Sequence, residues 1–429
     1  MRKIIIEPLS RVEGEGGITI RLEKNAVKEV RFDIYEGVRL VETLLKGKDP
    51  VEALSIACRI CAICSTSHRF AASRALESAM DIHVPPKVTL LRSLLQIGEF
   101  LESHSLHVFL LVLPDYFESG SAVSLAGQMP GDIRNALLLK KFATEMIENI
   151  SGRKIHGENP TLGGFGKYPG DEVLRAISQA SSGILPVAER GVQLLGSRSI
   201  PDILDEDTLF VCCDPDDENY GLFGNTIKTS EADRISPDLF KKTFRERIVP
   251  HSTAKHCYFN GRPFTVGALA RLNILGERLR GLAGEYYHQY WNRRWLKNPL
   301  YNPLAQAIEM VWALEQIPLL ADRIMDSDNP PDIVPPGRRD GEGTGLVEAP
   351  RGLLTHFYRI KDGLVSHADI ITPTGFNLAD CEKYLRKAAE GMLHQNARDE
   401  ALRFQCEMIA RAYDPCISCA THLVRIDQT

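Results

Sequence analysis

The alternation of apolar and polar residues predicts β-strands at the start of the chain. Residues 18–23 alternate strictly, and residues 30–34 alternate again after a polar turn at Lys24-Asn25. A period of two places one face of each segment on a core and the other face in solvent. We therefore expect an N-terminal β-hairpin or meander.

Helical periodicity, with apolar residues three or four positions apart, covers most of the remaining chain. The first such stretch is interrupted at residues 47–50, where the sequence Gly-Lys-Asp-Pro ends a helix, and a later one opens at Pro85-Pro86. The stretches predicted to be helical are residues 38–80 with that interruption, 86–113, 131–151, 171–195, 274–295, 303–326, 378–395 and 399–413.

Strands return in two later parts of the chain. Residues 200–265 are rich in β-branched, Gly and Pro residues, which predicts short strands. Residues 353–360 and 364–371 flank Asp362-Gly363, a dipeptide typical of a two-residue hairpin turn. The Gly-rich residues 163–166 and the Pro/Gly/Asp-rich residues 329–345 are expected to be loops.

This order of elements predicts a mainly α fold with small β-sheets, of the α+β class, built on a long central helical bundle. We expect one integrated unit in which the bundle closes two distant cysteine motifs onto one metal site. Its predicted regions are 1–36, an N-terminal β-hairpin region; 37–198, a helical core with the first motif; 199–265, a mixed insertion with short strands; and 266–429, helices, a hairpin and the C-terminal motif.

Composition excludes some classes of protein. The chain of 429 residues is 44% hydrophobic and 25% charged, with a net charge of −5, so nucleic-acid binding is not expected. The most apolar helix, residues 86–113, carries several charged residues, so no membrane span is expected. The sequence Met1-Arg2-Lys3 runs directly into a strand-like segment without a signal region, which favours a cytoplasmic location.

Two C-x-x-C motifs, Cys61/Cys64 and Cys416/Cys419, stand near opposite ends of the chain. Four thiolates suit nickel, zinc or iron and disfavour hard ions such as Mg²⁺. A zinc ribbon usually keeps its halves closer in sequence, so a site built from these pairs ties the whole domain together. Spacing alone leaves both a structural and a catalytic metal open. The remaining cysteines are read as ordinary core or surface thiols: Cys58, Cys212, Cys213, Cys257, Cys381 and Cys406.

The motifs around these cysteines carry a family resemblance. The pattern R-x-C-x-x-C-x-x-x-H covers Arg59–His68, and D-P-C-x-x-C-x-x-H covers Asp414–His422. Together they resemble the large, catalytic subunit of nickel-iron hydrogenases, and the resemblance extends along nearly the whole chain. Further similar segments are Pro8–Gly14, Glu42–Pro50, Gly152–His156, Leu269–Asn273 and Glu348–Gly352.

The resemblance implies a nickel-iron centre held by all four motif cysteines. Cys64 and Cys419 would bridge nickel to an iron that carries carbon monoxide and cyanide. Glu13 would accept the proton that leaves Cys416; the alternative is an ordinary surface carboxylate. Glu15 stands where the family often has histidine, so the outer part of this proton path differs from the family pattern.

Arg351 would lie over the open side of the metals, with Pro350 and Asp414 beside it, and would donate to a cyanide or help activate hydrogen. The alternative is a salt bridge to Glu348 or Asp414. Ser103 occupies a place where many relatives have an aspartate.

Three further positions are implied by the resemblance. His68 is expected to interact with Cys64 without binding the metal itself. Glu42 and His422 match positions that hold a magnesium or iron ion, although a Glu and a His also form a buried ion pair. Many relatives lose a C-terminal extension after this histidine; we expect residues 423–429, which alternate like a strand edge, to be retained.

The chain offers no obvious exit for electrons. No cysteine cluster for an iron-sulfur centre remains, and no Gly-rich nucleotide motif follows a strand. The resemblance implies an iron-sulfur small subunit as partner. A further electron-transfer subunit and maturation factors are also expected as partners. Two other functions remain open: a metal-free relative of the quinone-site subunit of respiratory complex I, and a zinc-stapled scaffold.

Overall fold

The computed structural model describes residues 2–24, 26–203, 206–215, 219–330 and 333–421. Helices predominate in these residues, which confirms the predicted fold class. Its α-helices are α1 Val41–Leu45, α2 Pro50–Ala57, α3 Ser65–Met80, α4 Pro86–Leu106, α5 Leu113–Tyr116, α6 Ala122–Gln128, α7 Pro130–Ser151, α8 Asp171–Gly196, α9 Phe240–Thr243, α10 Ala268–Leu275, α11 Gly281–Tyr290, α12 Asn302–Met325, α13 Pro373–His394, α14 Asp399–Ala412 and α15 Ile417–Ala420.

The strands form small antiparallel sheets. The strands are β1 Arg2–Ile6, β2 Gly16–Glu23, β3 Ala26–Ile34, β4 Pro160–Thr161, β5 Gly164–Phe165, β6 Val211–Asp214, β7 Thr226–Thr229, β8 Arg234–Ile235, β9 Phe244–Arg247, β10 His256–Phe259, β11 Gly341–Ala349, β12 Gly352–Lys361 and β13 Leu364–Ile371. Sheets of three strands have the orders β1-β2-β3, β6-β7-β8 and β11-β12-β13, and two-stranded sheets pair β4 with β5 and β9 with β10.

The central bundle consists of α4, α7, α8 and α12, which pack against one another. Helices α4 and α7 open with Pro86 and Pro130. Proline is tolerated at this position because the first N–H groups of a helix have no partner within it. Helix α4 continues into a π-helical segment, His107–Val112, that turns His107 inward to hydrogen-bond the carbonyl oxygen of Arg411 at 2.8 Å. Within the described residues, no helix is both long and apolar enough to cross a membrane.

Close contact between α3 and β11 sets the position of the first cysteine motif. Every second residue of β11 from Gly341 to Gly345 is glycine, and a Cβ atom on Gly345 would lie 2.1 Å from the carbonyl oxygen of Ala71. The backbone of the strand therefore packs directly on the backbone of the helix. Because α3 begins just after Cys64, this contact brings that cysteine to the end of β11, where Arg351 follows.

The predicted insertion, residues 199–265, contributes to a second apolar cluster. Val211 and Phe264 pack in this cluster with Leu346 of β11 and Phe376 of α13. The short strands of this segment thus rest on the C-terminal hairpin and the start of α13. The division of the chain into four regions stays a prediction.

The single helix predicted over residues 274–295 is wrong. Helix α10 begins earlier, at Ala268, a 3-10 turn follows at residues 276–278, and α11 starts anew at Gly281. The carboxylate of Glu315, on α12, accepts the N–H groups of Leu282 and Ala283 at 2.8 and 3.1 Å. A cap supplied by another helix leaves no local pattern, so periodicity alone runs through the break.

Two predicted loops also contain strands. Residues 163–166 take part in the short β4-β5 hairpin, and β11 begins at Gly341, inside the loop predicted over residues 329–345. The glycines that suggested a loop are the residues that allow β11 to lie against α3.

Replacing Gly345 by Ala should destabilise the fold. The added methyl group overlaps the backbone of α3, and overpacking of this kind costs about 1–3 kcal/mol. Gly183→Ala is the matched control, because Gly183 lies within α8 with open space around it and should gain roughly 0.5–1 kcal/mol. The midpoints of thermal unfolding should move in opposite directions; a Gly345→Ala protein as stable as the wild type would contradict this packing.

Candidate metal centre

The four motif cysteines converge on one buried cluster. Cys61 follows a 3-10 turn in an extended conformation, Cys64 precedes α3, Cys416 immediately precedes the short α15, and Cys419 lies within α15. Their sulfur atoms all lie within 4.8 Å of one another. The Sγ atoms of Cys61 and Cys416 are 3.7 Å apart, and those of Cys64 and Cys419 are 3.5 Å apart.

These distances fit a metal ion and exclude a disulfide. A disulfide bond is about 2.05 Å long, and none of the four cysteines is disulfide-bonded. Two sulfurs each about 2.3 Å from one tetrahedral ion lie roughly 3.8 Å apart, close to the spacing found here. Each cysteine is at most 5% exposed, so the ligand set is shielded from water.

The electrostatics of the cluster also favour a cation. Burial raises the pKa of Cys419 well above its ordinary value, and the neighbouring thiols add to the effect. Burial also opposes ionisation of Cys61, but hydrogen bonds from the other three thiols and the charge of Arg351 hold its pKa well below the ordinary value. Without a metal ion the four thiols therefore share protons, because four thiolates packed together repel one another.

Hydrogen bonds from within and from outside the motifs position the cysteines. The backbone N–H of Cys64 donates to Cys61 Sγ at 3.0 Å. The N–H of Cys416 donates to the hydroxyl of Thr374, in the first turn of α13, at 2.9 Å. Sequence reasoning missed Thr374, since nothing near it in the sequence marks a metal site.

Arg39 links the two cysteine motifs directly. Its guanidinium donates to the carbonyl oxygen of Ile60 at 2.7 Å and also to that of Ser418. One side chain thus holds the backbone just before Cys61 and the backbone between the two C-terminal cysteines. Arg39 was also missed, although its place just before the Glu42–Pro50 segment was a usable signal.

Glu13 lies beside the C-terminal motif. Its backbone forms a parallel β-bridge with Cys416, and its carbonyl oxygen accepts the N–H of Ile417 at 3.1 Å. Its carboxylate accepts from both the N–H and the hydroxyl of Ser418. Burial, followed by the negative charge of Cys416, raises the pKa of Glu13 to about 7.

Arg351 lies in the tight turn between β11 and β12, with Pro350 before it. Its Nε and Nη2 atoms donate to the backbone oxygen and the carboxylate of Asp414 at 2.8 and 2.9 Å, and Nη1 donates to Ser103 at 3.2 Å. The charges of Asp414 and the cluster thiols raise the pKa of Arg351 against the opposing effect of burial. The arginine is therefore a fixed cation held next to the thiols.

A buried ionic network supports this turn. Arg271 pairs with Glu309 at 2.5 Å and with Glu348 at 2.6 Å, and it also donates to the carbonyl oxygen of Pro350 at 3.1 Å. Burial opposes ionisation of Glu309, but the charge of Arg271 and its hydrogen bonds lower the pKa of this carboxyl to about 2. Glu348 is thus engaged by Arg271, while Arg351 pairs with Asp414. The Leu269–Asn273 segment pointed to this arginine, but the sequence did not assign it a role.

The remaining predicted positions are His68, Glu42 and His422. His68 is buried on α3, where its Nδ1 atom hydrogen-bonds His356 Nε2 at 3.0 Å, and His356 in turn contacts the hydroxyl of Tyr358 at 3.1 Å. Glu42, at the start of α1, accepts the N–H of Ile370 at 2.7 Å; burial and the charge of Asp369 raise its pKa to about 8. His422 and residues 423–429 fall outside the described residues.

Comparison with known proteins identifies the family. Residues 39–145 and 250–422, more than half of the chain, match the family model described as nickel-dependent hydrogenase, and residues 3–36 match one described as HoxL-like. The chain is 39% identical over 425 residues to sulfhydrogenase 1 subunit alpha of Pyrococcus furiosus. This alignment covers 99% of this chain and 98% of that protein. The chain belongs to the nickel-dependent hydrogenase family. It is therefore a hydrogenase, an oxidoreductase that acts on dihydrogen.

Other relatives of this hydrogenase chain agree with that assignment. Sulfhydrogenase 2 subunit alpha, also from Pyrococcus furiosus, is 37% identical over 427 residues and covers 99% of this chain and 100% of that protein. A solved NAD+-reducing NiFe hydrogenase in the H2-reduced state superposes with a TM-score of 0.90 at 29% identity, over 98% of this chain and 100% of that one. The resemblance seen in the motifs is thus confirmed along the whole chain.

Replacing any one of the four cluster cysteines by Ser should remove nickel and abolish hydrogen turnover, because each position supplies one sulfur to a cluster without spare ligands. Cys58→Ser is the matched control: Cys58 is buried nearby, and its sulfur only donates to the carbonyl oxygen of Ser55 and accepts from Arg69, contacts that a hydroxyl can also make. Nickel content and hydrogen uptake should be measured together. A cluster variant with full activity would remove that cysteine from the ligand set.

Proposed function

We propose that the chain is the catalytic subunit of a nickel-iron hydrogenase that cleaves dihydrogen reversibly into protons and electrons. The observation that carries this proposal is the buried cluster of four cysteines that come from opposite ends of the chain and lie within 4.8 Å of one another. Membership of the family supports it and favours neither a metal-free relative of complex I nor a zinc-stapled scaffold.

Cys61, Cys64, Cys416 and Cys419 would hold the nickel, and Cys64 and Cys419 would be shared with the iron. When bound, the centre supplies the heterolytic cleavage of dihydrogen. Carbon monoxide and cyanide on the iron belong to the proposal through the resemblance alone. The chain's own contribution is to bury the thiols, to lower the pKa of Cys61 and to exclude water from the cluster.

Glu13 is the proposed proton acceptor. Its carboxyl is part-buried, it interacts with Cys416, and its pKa of about 7 lets it both take and release a proton near neutral pH. The two hydrogen bonds from Ser418 hold the carboxylate in place while the proton moves. Glu15 is exposed two residues further on, where its N–H donates to Glu36.

Arg351 is proposed to donate to a cyanide or to the reacting hydrogen from the open side of the cluster. Two hydrogen bonds to Asp414 fix the plane of the guanidinium, and Ser103 holds its outer nitrogen. A planar cation locked in this way costs little reorganisation during the reaction. Pro350, whose oxygen is held by Arg271, fixes the turn that presents it.

Three supporting roles complete the proposal. His68 would stabilise the first turn of α3, which follows Cys64, through its hydrogen bond with His356. Glu42, whose half-buried carboxyl lies beside Asp369, would hold a magnesium ion together with His422, since a cation there would offset both the burial and the charge of Asp369 that raise the pKa of Glu42. Residues 423–429, which follow His422, are proposed to be retained in the mature protein.

Electrons are proposed to leave through an iron-sulfur small subunit, with a further electron-transfer subunit beyond it. Two relatives are named as subunit alpha, which supports assembly with other subunits. Maturation factors would load the metals. The proposed location is the cytoplasm.

Glu13→Gln tests the proton path. Glutamine keeps an oxygen for Ser418 but cannot carry the proton, so nickel should remain while exchange between deuterium gas and water falls by roughly 10²–10⁴-fold. The control is Glu23→Gln, which alters an exposed carboxyl at the end of β2 and should leave exchange unchanged. Exchange near the wild-type rate in Glu13→Gln would place the proton path elsewhere.

Arg351→Lys tests the proposed donor. Lysine keeps the charge but loses the fork that binds Asp414 and Ser103, so turnover should fall on the order of a hundredfold with nickel retained. Arg294→Lys, which alters a surface arginine paired with Asp202, is the control. An unchanged rate in Arg351→Lys would make the arginine purely structural.

A further inference from the structure

Two histidines and a glutamate form a second cluster where the N-terminal sheet meets α13. His251 lies in the loop before β10, His256 is the first residue of β10, and Glu382 projects from α13. One potential ligand atom from each lies within 4.8 Å of the others. This cluster shares no residue with the cysteine cluster or with the proposed hydrogen chemistry.

The carboxylate of Glu382 uses its two oxygens differently. Oε1 accepts from Phe32 N–H at 2.8 Å and lies 2.7 Å from His251 Nε2. Oε2 faces His256 Nδ1 at 3.8 Å, which is too long for a hydrogen bond. One oxygen is therefore fixed by the protein, while the other points across a gap toward an imidazole nitrogen.

His256 has no hydrogen-bond partner for either ring nitrogen among the described residues. Its side chain is 1% exposed, so water does not reach it freely, and an unpaired buried polar atom is costly. A metal ion would give one of these ring nitrogens a partner.

We propose that His251, His256 and Glu382 bind one Zn²⁺ ion, which would replace the hydrogen bond between His251 and Glu382. Neutral imidazole and carboxylate are ligands that zinc accepts, and three protein ligands leave one position for water. Two ligands about 2.0–2.2 Å from one tetrahedral ion lie roughly 3.4 Å apart. The 3.8 Å gap between His256 and Glu382 is within a few tenths of an ångström of that spacing. The side chains of His251 and Glu382 are 17% and 19% exposed, which provides a path for entry of the ion.

The ion would join three separate segments of the chain. The backbone of Ile34, at the end of β3, already bonds to His251 and Thr253 in the loop. Helix α13 carries Glu382 and, in its first turn, Thr374, which accepts the N–H of Cys416. A zinc ion here would therefore anchor the helix that positions one of the cluster cysteines.

The test uses the assembled, nickel-loaded enzyme, so that the cysteine cluster is already filled. After removal of loosely bound metal with a mild chelator, zinc ions are titrated back, and zinc and nickel are counted in the same samples. The variants are Glu382→Gln and His251→Gln; His83→Gln is the control, because His83 is an exposed histidine 3.2 Å from a carboxylate, that of Asp81. His251→Gln alters a partly exposed loop residue, so it serves if Glu382→Gln folds poorly.

Wild type and His83→Gln should bind about one zinc per chain. The zinc affinity of Glu382→Gln and of His251→Gln should fall by roughly a hundredfold or more. Even loss of a residue that only hydrogen-bonds to a metal ligand costs 10–100-fold in affinity. Nickel content should stay at the wild-type level in every sample. Zinc binding that is absent from the wild type, or equally tight in the variants, would overturn the proposal. Anomalous scattering at the zinc edge should place the ion between the three side chains, and a peak elsewhere would also overturn it.

Discussion

The structure depends on bringing four sulfur atoms from opposite ends of the chain to one buried point. Thiolates held this closely repel one another, so a cation is what allows all four to ionise together. The first motif is positioned by β11, because the glycines of this strand allow its backbone to pack directly on the backbone of α3. The second is placed by the bridge to Glu13 and by Thr374. The long helices between the motifs serve mainly to make these two placements coincide.

A second consequence is the amount of charge buried around the cluster. Arg351 pairs with Asp414, and behind them Arg271 pairs with Glu309 and Glu348. Removing one partner of such a pair typically costs about 3–5 kcal/mol, because the other charge is left buried and uncompensated. These pairs therefore hold one another in a single arrangement, and the turn carrying Arg351 cannot easily rotate away from the thiols.

Periodicity and motif spacing predicted much of this molecule, including the N-terminal meander, the long helices, the C-terminal hairpin and the meeting of the two cysteine pairs. What escaped prediction depends on contacts between distant residues. The break before α11 arises from Glu315 on another helix, and β11 looked like a loop because its glycines are needed for contact with α3. Arg39 and Thr374 act through backbone groups of the cysteine motifs, and only Arg39 lies next to a recognisable segment, Glu42–Pro50. The pairing of Arg351 with Asp414, not Glu348, was likewise decided by Arg271.

The four cluster cysteines should bind nickel. X-ray absorption at the nickel edge on the purified enzyme tests this expectation most directly, because it counts the metal and identifies the neighbouring atoms in one experiment. We expect about one nickel per chain with sulfur neighbours at roughly 2.2–2.3 Å, and loss of that signal in Cys416→Ser. A protein without nickel whose cysteine cluster holds zinc, or nickel surrounded only by nitrogen and oxygen, would contradict this expectation.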